Sequence, residues 1–125
     1  EGVAFNMKWL MGYVEAFIKR PFAELTAIGG GAKSAVWCQI LADILERPIK
    51  QLKDPASANL YGAAMLGWNT LGERTLTDMA QAVQIGQVFT PQSDNQAIYR
   101  QLYQEFGNIY KSNRKIYARL NHEGA

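Results

Sequence analysis

The sequence predicts a helix-rich α/β domain built around one short βαβ unit, and three observations predict it. Apolar residues recur at steps of three and four over most of the 125 residues. Two short β-prone runs, around Leu25 and Ile49, each end at a turn signal. A single helical stretch separates them, which implies a βαβ-like unit with a right-handed crossover. With 48% apolar, 11% aromatic and 19% charged residues, the chain has the material for one core and is too apolar to be disordered. It is expected to form a single domain over residues 1–125.

From Gly2 to about Arg20, Val3, Met7, Leu10, Met11, Val14, Phe17 and Ile18 fall on one helical stripe, with Asn6, Lys8 and Glu15 off it. Pro21 disfavours helical backbone at Arg20 and ends the helix. Glu24-Leu25-Thr26-Ala27-Ile28 reads as a strand stopped by Gly29-Gly30-Gly31. A second helix is expected from about Ser34 to Leu45, with Val36, Ile40, Leu41 and Ile44 inward. After Pro48, Ile49 to Leu52 reads as a second strand, and Asp54-Pro55 as a turn. Ser57 is placed to cap a third helix over about Ala58 to Thr70, whose Gly62, Ala63 and Ala64 would let another backbone approach closely. Thr77 is expected to cap a short helix through Ala82 or Val83, and Gly86 to Pro91 reads as irregular. A long helix from about Asp94 to Leu120 carries Ile98, Leu102, Phe106, Ile109, Tyr110, Tyr117 and Leu120. Two strands make a poor sheet, and the chain opens at Glu1 already in helical periodicity. A piece of a longer protein, with further strands upstream, is therefore expected.

Composition excludes several functions. Thirteen basic and eleven acidic residues give a net charge of +2, too balanced for a nucleic-acid or anionic-lipid partner. No apolar run approaches the roughly 20 residues of a membrane span. The single cysteine, Cys38, forbids an internal disulfide and fits a reducing compartment such as the cytoplasm. The single histidine, His122, argues against a histidine metal site or triad.

The segment Ala27-Ile28-Gly29-Gly30-Gly31-Ala32-Lys33-Ser34 carries the most chemistry. Three residues without Cβ let the backbone turn sharply and let a ligand reach the amides. The helix start beyond them adds free N–H groups and the positive end of the dipole, which favours a phosphate. It is not a P-loop, because Ala32 separates Gly31 from Lys33 and Thr26 occupies the earlier glycine's place. It fits the dinucleotide fingerprint only at Gly29 and Gly31, with Ser34 where the third small residue belongs and Asp54 near the acidic position. On spacing alone, a phosphate cradle and a turn that binds nothing both remain open.

Ile28-Gly29-Gly30-Gly31-Ala32-Lys33-Ser34, then Trp37, Gln39-Ile40, Ala42-Asp43-Ile44-Leu45 and Pro48-Ile49, closely resemble the C-terminal domain of the FGGY carbohydrate kinases, in their xylulose kinase-like branch. Glu1-Gly2-Val3-Ala4-Phe5 and Gly62-Ala63-Ala64 extend the likeness. The resemblance implies part of an actin-like, ribonuclease H-like ATPase domain, the C-terminal portion of the nucleotide side of a two-domain kinase. It implies ATP and Mg²⁺ in the cleft between the domains and transfer of the γ-phosphoryl group to a sugar hydroxyl. By the same likeness, the amides of Gly30 and Gly31 would meet the nucleotide phosphates next to Gly29, and Ala32, Lys33 and Ser34 would line its edge. Ala35 stands where some relatives place an asparagine against adenine. The family's aspartate base and sugar contacts would lie upstream of Glu1, so this chain alone is expected to be inactive. The sugar is its small-molecule partner through that upstream part, and a homodimer of the full-length protein is compatible with the likeness.

Other residues read more plainly. Trp37, Trp68 and Tyr61 read as core aromatics rather than an adenine platform, and Cys38 as a buried small hydrophobe. Asp43 and Asp78 read as surface or capping groups. Arg100, Lys111, Arg114, Lys115 and Arg119 read as a solvated helix face. Besides the kinase reading, a stand-alone α/β nucleotide- or partner-binding module and a unit for a nicotinamide dinucleotide remain as alternatives.

Overall fold

The computed structural model describes residues 1–121. His122 lies outside the described residues. The chain runs through α1 (Gly2–Ile18), β1 (Leu25–Ala27), a 3₁₀ turn (Gly30–Lys33), α2 (Ala35–Leu45), β2 (Ile49–Leu52), α3 (Ala58–Thr70), α4 (Leu76–Gln81), β3 (Ile85–Phe89) and α5 (Ser93–Asn121). The sheet order is β1-β2-β3. Strands β1 and β2 are parallel, with Leu25 opposite Ile49 and Ala27 opposite Gln51, as expected of strands joined through a helix.

The third strand corrects the expected irregular stretch over Gly86 to Pro91. β3 pairs antiparallel with β2, with Phe89 opposite Ile49 and a register shift between Gln51 and Leu52. A Cβ on Gly86 would come within 3.0 Å of the Lys53 Cα, so glycine is what lets β3 close on this irregular stretch of β2. The short helix is also capped differently. Thr75, not Thr77, accepts from the Asp78 N–H at 3.2 Å, and Asp78 accepts in turn from the Thr75 N–H. This is a capping box, and the Thr-x-x-Asp spacing carries its signature. Ser57 precedes α3 but makes no side-chain cap; Asp54 instead accepts from the Ser57 N–H at 3.4 Å.

The core is organised around α2. Cys38, Leu41, Ala42, Ile44 and Leu45 are buried against Ala4 and Phe5 of α1, Ile49 of β2 and Phe89 of β3. Tyr99, Tyr103 and Phe106 of α5 close it from the side. The Phe5 ring lies 6.2, 6.1 and 5.8 Å from those three rings, and Trp9 meets Tyr110 at 5.0 Å, so α1 and α5 are joined by interlocking aromatics. The inward face of α5 is thus Tyr99, Tyr103 and Phe106, while Leu102 and Ile109 are exposed. In α1 the expected stripe faces outward: Val3, Met7, Leu10, Val14 and Phe17 are exposed, and Ala4 and Phe5 are buried. The helix is apolar on both sides, and periodicity does not say which side the core takes. Val36, expected inward, is exposed as well. Among the described residues no helix is long and apolar enough to cross a membrane.

Two polar clusters fix α5 onto α2. Asp43, 2% exposed, corrects the surface reading: its carboxylate accepts from Gln39 Nε2, the Gln92 N–H and Asn95 Nδ2, each at 2.8 Å. It caps the start of α5 from another helix. At the other cluster Glu46 accepts from Lys8 of α1 at 2.9 Å and from Arg100 of α5 at 3.1 and 3.2 Å. Arg100, then Lys8, hold the Glu46 carboxyl below the usual carboxylate range against the opposing effect of partial burial.

Two outcomes follow. Asp43→Ala removes the acceptor of a Gln92 N–H and is expected to cost about 1–3 kcal/mol, read as a melting temperature lower by several degrees; an unchanged transition would contradict the capping role. Glu46 is less readily protonated folded than unfolded, so its contribution is complete above the ordinary carboxylate range and fades as pH falls below about 4. The pair is partly exposed, and Glu46→Gln should cost less than about 1 kcal/mol at pH 7 and less again at about pH 3. Equal loss at both pH values would contradict this.

Candidate functional site

The six residues singled out as a ligand cradle, Gly29 to Ser34, form one continuous structure. Gly29 sits at φ 88°, ψ 179°, a region open only to glycine. Its N–H donates to the Pro55 carbonyl at 2.6 Å, which ties the turn to the loop after β2. Its carbonyl accepts from the Ala32 N–H at 3.1 Å and opens the 3₁₀ turn. Helix α2 therefore does not follow the strand directly, as the sequence suggested; one turn of 3₁₀ helix intervenes.

The consequence is a division of labour among the six. Gly30 and Gly31 are exposed, and among the described residues their N–H groups meet no acceptor. A Cβ on Gly30 would meet open space, whereas one on Gly31 would touch the Trp37 indole at 3.6 Å. Gly30 is thus the position with a free approach. Ala32 is buried at 3% exposure, and its carbonyl accepts from Cys38 Sγ at 3.5 Å and from Gln51 Nε2. It anchors the turn to α2 and β2, with its side chain turned into the protein. Ser34 caps α2, its Oγ accepting from the Trp37 N–H at 3.2 Å. Lys33 is exposed and faces the loop after β2, where its charge acts on Asp54. The Ser57 hydroxyl first, then the Ser57 N–H and Lys33, keep the Asp54 carboxyl below its ordinary range.

Beside the turn lies an open cleft of about 420 Å³ bordered by Lys33, Gln51, Lys53, Asp54, Gly86 and Gln87. It sits where the chain leaves β1 and β2, the location at which open α/β sheets receive ligands. Sequence reasoning missed Lys53 and Gln87 because β3 was not anticipated. Lys33 and Lys53 supply positive charge at the cleft beside the Asp54 carboxylate, and Lys33 links it to the glycine turn. Among the described residues no group of three or more His, Cys, Asp or Glu could hold a metal ion.

Trp37 packs against the core as expected, but Tyr61 and Trp68 are half exposed, which corrects the core reading of both. Cys38 is fully buried, and burial pushes its thiol pKa up, the opposite of an activated nucleophile.

The family model for the FGGY family of carbohydrate kinases, C-terminal domain, matches residues 1–70. The chain is 38% identical over 99 residues to a xylulose kinase of Staphylococcus epidermidis, covering 78% of this chain and 20% of that protein. It is 38% identical over 82 residues to an L-fuculokinase of Escherichia coli strain K12, covering 66% of this chain and 17% of that protein. The crystal structure of ligand-bound xylulose kinase from Lactobacillus acidophilus matches with TM-score 0.76 and 27% identity, over 97% of this chain and 24% of that one. The chain therefore spans about a fifth of the length of the curated relatives it matches. The shared fold is a helix-rich portion of the actin-like ATPase fold, as the sequence implied.

The turn geometry separates two glycines. Gly29→Ala forces a side chain onto φ 88° and is expected to lower stability by about 1–3 kcal/mol. Gly30→Val points into open space at an ordinary φ and should leave the thermal transition within about 0.5 kcal/mol of the parent. Equal destabilisation by both would contradict this description of the turn.

Proposed function

The chain belongs to the FGGY family of carbohydrate kinases, as part of that family's C-terminal domain, and on that premise we propose that it is the nucleotide-side portion of an ATP-dependent sugar kinase. The observation that carries the reading is the adjacent N–H groups of the exposed residues Gly30 and Gly31, which meet no acceptor among the described residues, with open space where a Gly30 Cβ would point. Such a pair can donate to phosphate oxygens without displacing any internal bond. Lys33 adds charge at the edge, Ser34 sets the start of α2, and Gly29 supplies the turn that aims the amides. Ala32 acts from beneath, as an anchor.

ATP would supply the γ-phosphoryl group, with Mg²⁺ accompanying its phosphates. Phosphoryl transfer depends on holding the donor in place and on stabilising charge as it moves. The residues of this chain bind and orient one side of the donor. The base that accepts the proton of the sugar hydroxyl is assigned to polypeptide outside this chain. Asp43 is buried and fully hydrogen-bonded, and Asp78 is held in a capping box, so neither is free for that role. We assign residues 1–125 to one domain, and the cytoplasm as its compartment, in keeping with a single buried free thiol. Xylulose, or a related pentose, ketose or polyol, is the proposed acceptor class. Xylulose kinase and L-fuculokinase relatives both match the chain, at 38% identity over 99 and 82 residues, which supports the broader acceptor class rather than one sugar.

Two measurements test the assignment. The purified chain should release no ADP with any sugar in a panel of ketoses, aldoses and polyols; sugar-dependent turnover would contradict the placement of the base. In the full-length kinase, Gly30→Val should raise the KM for ATP about tenfold or more and leave the KM for sugar nearly unchanged. Equal effects on both would remove the phosphate role from the turn.

A further inference from the structure

The glycine turn is held at its two ends and left unsupported in the middle. At one end the Gly29 N–H donates to the Pro55 carbonyl at 2.6 Å. At the other, Ala32 is buried, and its carbonyl meets no backbone N–H among the described residues. The reason is local. Ser34 has extended backbone, at φ −84° and ψ 113°, so the 3₁₀ turn stops there. Helix α2 then starts afresh, with the Cys38 N–H donating to the Ser34 carbonyl at 3.0 Å. The Ala32 carbonyl falls between the two helical segments and needs a partner from elsewhere. Two side chains supply one: Gln51 Nε2 of β2 at 2.5 Å and Cys38 Sγ of α2 at 3.5 Å. A thiol is a weak donor and an amide a full one, so Gln51 dominates the contact.

We propose that Gln51 is the positioning residue of the glycine turn: by holding the Ala32 carbonyl from β2, it sets the direction in which the Gly30 and Gly31 amides face. Its own place is fixed. β2 is the middle strand, and Gln51 is paired with Ala27 of β1 on one side and Gln87 of β3 on the other. Glutamine is ordinarily an exposed residue, and the bond to Ala32 accounts for a partly buried one at this position. Gly30 and Gly31 have the widest backbone freedom of any residue type, and their N–H groups make no internal bond. Their order therefore depends on the clamped ends. A turn released at Ala32 would have to be ordered by its ligand, and that cost falls on binding. It would weaken ground state and transition state alike, which raises KM and spares kcat. That the amides meet phosphate rests on the proposed function; that Gln51 holds the turn does not.

Gln51→Met keeps the length of the side chain and removes its donor. Gln87→Met is the control, because Gln87 faces Gln51 across the sheet and borders the same cleft but makes no side-chain bond to the turn. In the chain itself, ¹⁵N relaxation of Gln51→Met should show the Gly30 and Gly31 order parameters falling below about 0.6, with those of β2 and α2 unchanged. Gln51→Glu, of the same shape and without a donor at neutral pH, should loosen the same two residues, which keeps the test decisive if the methionine variant folds poorly. Inorganic triphosphate should bind Gln51→Met about tenfold more weakly than the parent chain, and Gln87→Met should match the parent in order and in affinity. In the full-length kinase, Gln51→Met should raise the KM for ATP about tenfold and leave kcat and the KM for sugar nearly unchanged. Unchanged order at Gly30 and Gly31 in both Gln51 variants, or equal loosening in Gln87→Met, would overturn the proposal. A fall in kcat at constant KM for ATP would overturn it too, since that is the mark of a merely damaged fold. Loosening of the turn by both Gln51 variants, in a chain whose parent binds no triphosphate, would support the clamp and count against the phosphate reading alone.

Discussion

A carboxylate held almost out of water orders this molecule. Asp43 lies in the last turns of α2, 2% exposed beneath the start of α5, where an unpaired charge would cost several kcal/mol. Three N–H donors remove that cost: Gln39 from α2 itself, and Gln92 and Asn95 from the start of α5. The requirement works in both directions. The carboxylate needs those donors, and the Gln92 N–H just ahead of α5 needs an acceptor. Once α5 is seated there, Tyr99, Tyr103 and Phe106 meet Phe5, and Glu46 gathers Lys8 and Arg100. Position and pairing of three helices thus follow from one satisfied buried charge.

The same helix places the glycine turn. Ser34 starts α2, Cys38 donates to the Ala32 carbonyl from the next turn, and Gln51 reaches that carbonyl from β2. Gly29 is tied to Pro55 across the loop after β2. With Gly29 and Ala32 fixed from beneath, Gly30 and Gly31 are left facing outward. An amide pair held this way needs no rearrangement before it meets an anion, which is the advantage of a rigid support under a binding loop. The nearly neutral charge of the whole chain does not oppose this, because Lys33 and Lys53 lie at the adjacent cleft while most other charges are elsewhere.

What could be read from the sequence was what local physics decides. Pro21 and Pro48, the triple glycine and the β-branched runs placed α1, β1, α2 and β2 within a few residues, and the glycine segment was recognisable as the site for the same reason. The misses were tertiary. Helix α1 is apolar on two sides, so the stripe of Val3, Leu10 and Phe17 looked like core, and only the position of α2 and α5 selects Ala4 and Phe5. Asp43 looked like a helix-end surface group because its partners are Gln92 and Asn95, about fifty positions away. Strand β3 contains Gly86, which weakens a strand signal, and its reason for being there is the register shift it faces in β2. The resemblance groups Ala32 with Lys33 and Ser34, and the 3₁₀ turn, which an α-helix start does not make, turns its side chain inward. Residue type alone puts Trp68 and Tyr61 in a core, whereas both are half exposed on α3.

The phosphate contact we propose lies at the backbone N–H groups of Gly30 and Gly31, with Lys33 adding charge at its edge. Amide correlation spectra of the chain titrated with ATP, with inorganic triphosphate and with adenosine test it directly. The largest saturable shifts are expected on the Gly30 and Gly31 N–H groups, reproduced by triphosphate alone and not by adenosine. Shifts centred on the basic end of α5, or a silent Gly30 and Gly31 while other amides respond to ATP, would contradict it.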